Sequence, residues 1–397
     1  MSRPSIPFRL GRNVWALAAV SFLTDVSSDM TYPLLPAFLA TVLGASATSV
    51  GAIEGAAEST AALLRLASGW WSDRVTRRKP LVMAGYTLAS VIRPLIGLTQ
   101  AASQVLAIRV ADRVGKGIRG APRDALIADS VDPAIRGRAF GFHRAADHAG
   151  AVVGPLLAFV LLQWGGLDLR TVFLLTAIPG ALAIATLWFG VREVPREVPD
   201  ASKRLDLRAP LSGRFWSYLG VLFVFTLGNS TDAFLLLRAG QLGVEAALIP
   251  ILWAMLHVVK SAFSTPGGIL SDRLGRKPLI VAGWLLYAGV YFAFGRASEQ
   301  WHAWALFAVY GVFFGLTEGV EKALVADLVP AERRGTAFGW YNLAIGLGAL
   351  PASLLFGILW DRWGAASAFD FGAALALAAA LGIAVVAPRR VSAGVPS

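Results

Sequence analysis

Apolar stretches of about twenty residues recur from one end of this chain to the other, each long enough to cross a ~30 Å hydrocarbon layer as a helix. They are too long and too continuous for the ~10-residue alternating strands of an outer-membrane barrel. With 56% hydrophobic and only 15% charged residues over 397 positions, the chain also lacks the polar surface that a soluble protein of its size needs. The pattern predicts an all-α membrane protein of twelve transmembrane helices. The expected spans are 13–40, 48–71, 80–99, 103–127, 138–163 and 170–191, then 215–237, 245–269, 278–296, 301–326, 336–360 and 366–387. Residues 192–214 are rich in proline and charge and read as a linker between a first bundle, 1–191, and a second, 215–397.

The net charge of +11 is a matter of topology rather than of nucleic-acid binding. Most Lys and Arg outside the spans fall in alternate loops, around Arg77, Arg136, Lys203, Arg276 and Arg333. The positive-inside rule then predicts cytoplasmic termini, in the inner membrane of a bacterium. Trp15, Trp71, Trp164, Trp188, Trp301 and Trp363 stand near predicted helix ends, where indole rings favour the headgroup layer. The first apolar run has no cleavage site after it and reads as a retained helix. The chain has no cysteine, which removes disulfides and thiol chemistry from consideration.

The two halves repeat each other. Gly69-Trp70-Trp71-Ser72-Asp73-Arg74 returns as Gly268-Ile269-Leu270-Ser271-Asp272-Arg273, each followed by basic residues and a Pro-Leu pair. Ala128-Asp129 through Arg136-Gly137 returns as Ala326-Asp327 through Arg334-Gly335. On these motifs the chain resembles the major facilitator superfamily over nearly its whole length, in particular its drug/proton antiporter-like branch. The family's loop signature after the second helix is matched by Gly69, Asp73, Arg74, Arg77 and Arg78. The second copy is matched by Gly268, Asp272, Arg273, Gly275 and Arg276. Arg113-Val114-Gly115-Lys116-Gly117 resembles the helix-four signature of proton antiporters, with Lys116 where a glutamine is usual. Gly150 to Gly154-Pro155 resembles the helix-five signature of exporters. The resemblance implies two six-helix bundles that rock about a central site, a gating loop whose basics pair with Asp129, and a monomer.

Charges inside the spans cost at least ~2.5–3.5 kcal/mol each and call for a reason. Asp25 and Asp29 share one face of helix one, and Glu54, Glu58 and Arg65 share one stripe of helix two. Helix four carries Arg109, Asp112, Arg113, Lys116, Arg119, Arg123 and Asp124. Counting from the helix starts brings Asp25 and Arg113 to similar depth. Two readings stand side by side: a proton switch built on Asp25, Asp29, Glu54 or Glu58 against Arg113 and Lys116, and a structural ion-pair network.

Aligning the repeats places Arg123 opposite Glu321, Asp124 opposite Lys322 and Gly120 opposite Glu318; either Arg119 or Arg123 pairs with Glu318 or Glu321 as a gate across the cleft, or each charge pairs within its own half. Helix five presents His143, Asp147, Gly150 and Gly154 on one stripe; small residues permit close helix approach, and the resemblance implies that this helix packs against helix eight at the boundary between the bundles. His257 and Lys260 of helix eight are the expected interdomain partners of Asp147. His143, Asp147 and His148 come from a single helix, which is too little for a metal site, so no metal is expected.

Enzyme motifs are missing: there is no phosphate-binding glycine loop and no zinc spacing. No cofactor and no nucleic acid are called for; the expected partners are the bilayer, a small-molecule substrate and protons. The expected function is secondary active transport by alternating access, as a proton-coupled exporter of a small organic compound. The alternative is an uptake symporter or uniporter for an anionic or zwitterionic metabolite.

Overall fold

A computed structural model describes residues 11–72, 75–131, 136–194, 211–329 and 334–386. Asp73 and Arg74, most of the expected linker (195–210) and the side chain of Asp272 lie outside the described residues. The rest form twelve helical crossings. The first, α1, runs Arg12–Thr31 and continues through a 3-10 turn, Tyr32–Leu34, and a π turn, Phe38–Val42. Pro33 and Pro36 sit where the regular ladder gives way, as proline's missing N–H requires. Then follow α2 (Ala47–Ser72), α3 (Lys79–Ile92, extended by Arg93–Leu98), α4 (Ala102–Asp129), α5 (Arg136–Gln163) and α6 (Leu169–Leu175 and Ala177–Gly190).

The second half opens with α7, which is two pieces, Gly213–Gly228 and Ala233–Gln241. Next come α8 (Ile249–Leu274), α9 (Arg276–Arg296) and α10 (Gln300–Asp327). Gly364, at φ 85° and ψ 168°, breaks the run Arg334–Val386 into α11 (334–363) and α12 (365–386). The sequence places α8 five residues too short, because Ser271-Asp272-Arg273 reads as loop. The helix continues until Gly275 ends it at φ 93°, a conformation that favours glycine. The break in α7 is also unforeseen; it falls on the polar run Asn229-Ser230-Thr231-Asp232.

In the first bundle α1 packs on α5 and α6, and α4 on α2 and α3. In the second, α8 and α9 pack on α10, and α7 on the α11–α12 run. Twelve crossings bring both ends to one side of the membrane, here the termini side. The bundles meet chiefly through α2 against α11 and α5 against α8. At Gly51, a Cβ would stand 2.2 Å from the Ser353 carbonyl oxygen, and at Gly357 2.6 Å from that of Ala47, so α2 and α11 touch backbone to backbone. Beyond that contact, the Asp361 carboxylate accepts the backbone N–H groups of Ala47 at 3.0 Å and Thr48 at 2.8 Å, capping α2 from the other bundle. The far side is therefore closed.

The bundle interiors differ. The second is filled with rings: Trp284 stacks on Phe225 at 4.4 Å, and Tyr287 on Tyr291 at 4.2 Å. The first holds a set of buried charges.

Candidate functional site

A cavity of about 540 Å³ lies between the bundles, lined by α1, α2, α4 and α5 on one wall and α7, α8 and α10 on the other. At the termini side its walls carry exposed Arg144, Glu318 and Lys322, so it is open there; toward the far side it ends at Asp29, Tyr32 and Trp253. Apolar length alone marks seven stretches as membrane spans among the described residues. The helices α1, α2, α4 and α8 are not among them, and all four line the cavity. They trade lipid-compatible composition for polar groups that face water.

Behind the first wall lies an ion network that joins α2, α3 and α4. Arg109 donates Nε to Glu54 Oε1 at 2.8 Å and Nη2 to Oε2 at 2.6 Å, a two-point contact with both side chains almost fully buried. Asp112 accepts from Arg93 at 2.8 Å and stands 3.7 Å from Arg109 and 3.9 Å from Arg113. Arg113 reaches Glu58 at 3.4 Å. Buried charge persists when paired with opposite charge, and every charge of this cluster has such a partner, although Arg93 Nε, Asp112 Oδ2 and Arg113 Nε make no hydrogen bond among the described residues. Arg113 thus faces Glu58 and Asp112, not Asp25 as its depth suggested, and Glu54 belongs to the scaffold rather than to the cavity surface. Arg93 has no place in the sequence reading; its signal is a lone cation followed by Pro94 in an otherwise apolar span.

Two glycines aim Lys116 into the cavity. A Cβ at Gly115 would stand 2.6 Å from the Gly85 carbonyl oxygen, and one at Gly117 2.5 Å from Leu64 Cβ, so α4 is pressed onto α3 on one flank and α2 on the other. Lys116, between them, lines the cavity with Asp25, Asp29, Glu58 and Arg65. Gly150 and Gly154 work the same way on α1: added Cβ atoms would meet the carbonyl oxygens of Phe22 at 2.5 Å and Val26 at 2.6 Å. This corrects the expectation that these glycines serve the contact with α8; small residues let α5 approach α1, and they hold Asp25 in place. Pro155 follows them inside α5.

Other expected contacts across the cleft are not formed. Asp147 accepts from the Ser21 hydroxyl and stands 3.4 Å from Arg144 and 3.6 Å from His143, all within the first bundle. Its expected partners are engaged on their own side: Lys260 Nζ sits 3.6 Å from the Phe314 ring centroid, and His257 packs on Trp253 at 5.0 Å. His143 is buried while His148 is exposed to the cavity, so the two do not converge on a metal position.

The gate pairing of Arg119 or Arg123 with Glu318 or Glu321 is likewise absent. Arg123 holds Asp124 at 2.8 Å, Arg119 lies 4.2 Å over the Tyr86 ring, and Glu318 holds Lys322 at 3.5 Å. Glu321 turns away from the cleft altogether, accepting from Trp284 Nε1 at 2.9 Å and the Tyr341 hydroxyl at 3.1 Å. Each charge finds a partner in its own half because the open mouth separates the walls. Of the aromatic rings within the spans, Tyr32 and Trp253 line the cavity, whereas Phe225 and Phe234 are buried in the second bundle.

At the termini side the two sequence repeats become two matching sites. Arg78 pairs with Asp129 and donates Nε to Ser72 at 3.1 Å. Arg276 pairs with Asp327 at 3.3 Å and donates Nη1 to Ser271 at 2.6 Å. Gly69 and Gly268 lie on the last turns of α2 and α8, and Arg77 and Arg273 are exposed beside them. Glu193, unremarked in the sequence, caps α3 by accepting the N–H groups of Arg78 at 3.1 Å and Lys79 at 3.0 Å.

Comparison with known proteins bears on both fold and family. Solved structures with the same architecture include a bacterial homologue of the human lysosomal transporter Spinster, inward-facing and unoccupied. Its TM-score is 0.71 at 19% identity, covering 94% of each chain. A POT family transporter in complex with 5-aminolevulinic acid gives 0.79 at 14% identity and 96% of each chain. A 115-residue stretch, 29% of this chain and of the relative, is 32% identical to the multidrug resistance protein MdtH of Klebsiella pneumoniae. An uncharacterized MFS-type transporter of Methanocaldococcus jannaschii is 34% identical over 381 residues, 94% of each chain. The family model of the Major Facilitator Superfamily matches residues 17–259 and 233–396, and with that full-length relative it shows that this chain belongs to the major facilitator superfamily.

Proposed function

We propose that the protein is a proton-coupled exporter that exchanges a small organic compound for protons by alternating access. In this reading the termini side is the cytoplasm of a bacterium, as the loop cations favour. Asp25 carries the proposal. It lies at mid-membrane depth on α1, half-buried in the cavity wall, and makes no hydrogen bond or ion pair among the described residues; Lys116, on the same cavity, makes none either. The other carboxylates set into the first bundle's wall have close partners. A lone carboxylate in a partly dry cavity is the group whose proton affinity responds to a substrate beside it or to a change in water access, and that linkage couples two fluxes. The stretch shared with a relative named for multidrug resistance supports export as the direction.

The test uses proteoliposomes loaded with a pH dye, to which amines, carboxylates and zwitterions are added one at a time. Protons moving opposite to the solute, in wild type and not in Asp25→Asn, fit the reading. Protons moving with the solute make the protein a symporter, and unchanged coupling in Asp25→Asn removes Asp25 from the role.

A further inference from the structure

Two acids close the deep end of the cavity, one from each bundle. Asp29 on α1 accepts the Trp253 indole N–H at 3.1 Å, and Asp232, at the break in α7, accepts the Tyr310 hydroxyl at 2.7 Å. Among the described residues neither has a cation within 4 Å. They share this with Asp25, whereas four other carboxylates on the same walls have one: Glu58 on Arg113, Asp124 on Arg123, Asp147 on Arg144 and Glu318 on Lys322. The Tyr32 ring lies 5.0 Å from that of Trp253, so the deep end combines two anionic groups with aromatic faces. That is the environment in which an ammonium group is held, by charge and by the ring quadrupoles.

Two cations without a carboxylate within 4 Å among the described residues, Lys260 and Lys116, lie nearer the mouth. Lys260 is seven residues from Trp253 along α8, about 10 Å at 1.5 Å per residue, and its ring partner Phe314 is four residues from Tyr310, about 6 Å. Lys116, opposite on α4, is likewise without a carboxylate within 4 Å. Along the cavity axis the charge therefore runs from anionic at the closed end to cationic at mid-depth. A purely cationic solute would leave Lys116 and Lys260 uncompensated, and a purely anionic one would leave Asp29 and Asp232 so.

We propose that the cavity takes a zwitterion whose ammonium group lodges between Asp29 and Asp232 and whose anionic group rests on Lys260 and Lys116. The two charges of the ligand are about 6–10 Å apart, as in an ω-amino acid or a short peptide and not in an α-amino acid. The inference rests on the transporter reading and supplies its substrate class.

The probes are 6-aminohexanoate, hexylamine and hexanoate, one carbon chain bearing both charges or only one. Binding to the purified protein is followed by titration calorimetry at up to about 10 mM, where a millimolar site is largely filled. The zwitterion should bind at least about tenfold tighter than either relative. Asp29→Asn, which keeps an acceptor for Trp253, should weaken 6-aminohexanoate and hexylamine about tenfold and spare hexanoate. Lys260→Gln should weaken 6-aminohexanoate and hexanoate and spare hexylamine. Equal affinity for the zwitterion and either single-charge probe overturns the proposal, as does no binding of any of the three. Failure of the transporter reading shows separately, through a thiol placed at Ser353, which is buried where α2 meets α11. A protein that binds the zwitterion yet never exposes that thiol to a reagent on the far side is no alternating-access carrier. One that exposes it without preferring the zwitterion refutes only the substrate class.

Discussion

Removing the Asp361 carboxylate should open the far side. In the closed arrangement that carboxylate accepts two backbone N–H groups at the start of α2, at 3.0 and 2.8 Å, and both would otherwise go without a helical partner. An N-cap contributes about 0.5–2 kcal/mol, and an anion at a helix N-terminus about 0.3–1 kcal/mol. Asp361 is largely exposed, so the lower part of that range applies, and about 1 kcal/mol is the working figure. Because the contact joins the two bundles, this energy stabilises the far-closed state and is absent once they part. Asp361→Ala should then raise the far-open population about fivefold, since 1.4 kcal/mol corresponds to tenfold. The chain has no cysteine, so Ser353→Cys supplies a single thiol whose labelling by a membrane-impermeant maleimide reports that population. Asp361→Asn should fall between the parent and Asp361→Ala, because asparagine caps well but brings no charge. A labelling rate unchanged or lowered in Asp361→Ala would refute the idea that this contact biases the two states.

Two further perturbations probe the scaffold. Gly51→Ala places a methyl group where only 2.2 Å separates it from the Ser353 carbonyl oxygen, so α2 and α11 must separate; it should speed labelling of Ser353→Cys more than Asp361→Ala does, and an equal or slower rate would count against close packing there. Glu54→Gln leaves the buried Arg109 guanidinium without its two-point partner and should cost about 3–5 kcal/mol, seen as a lower unfolding temperature in detergent. The double variant Glu54→Met/Arg109→Met should recover much of that loss, and a single variant as stable as the parent would show that the pair is dispensable.

What was legible in the sequence follows from the kind of signal each feature leaves. A membrane crossing announces itself locally, by length and apolarity, and the predicted spans agree with the observed helices to within a few residues except where helix continues through polar ones, as at Ser271-Asp272-Arg273. The charged faces of α1, α2 and α4 were equally visible, since each charge within an apolar run stands out. Partner choice was not. Arg113 matched Asp25 in depth, but depth along a helix does not say which way a side chain swings, and Glu58 on the adjoining helix takes it. The glycines of α5 signalled close approach, but the resemblance pointed them at α8, and the neighbour they meet is α1. Asp232 left only a four-residue polar run, and Asp361, between Trp360 and Arg362, carries no local mark of its role. Both act through contacts made by distant parts of the chain.

The divergence of the two halves bears on how binding would move them. At their termini-side loops the repeats retain the same device, an arginine shared between an aspartate and a serine. Inside the bilayer they part ways: paired charges stiffen α2, α3 and α4 in the first bundle, while stacked rings fill the second and α7 is broken at Asn229-Asp232. The cost of uncoupling buried charge keeps the first wall rigid. Ring packing carries no comparable penalty for a small shift, and the broken α7 has backbone groups at its interruption that helix pairing does not fix. A ligand held by Asp29 and Asp232 together would bridge the rigid wall and the yielding one. Its binding energy would then depend on the distance between the bundles, which is the condition for a solute to shift the balance between the two access states. A ligand held by the first wall alone would bind equally well in both states and shift nothing.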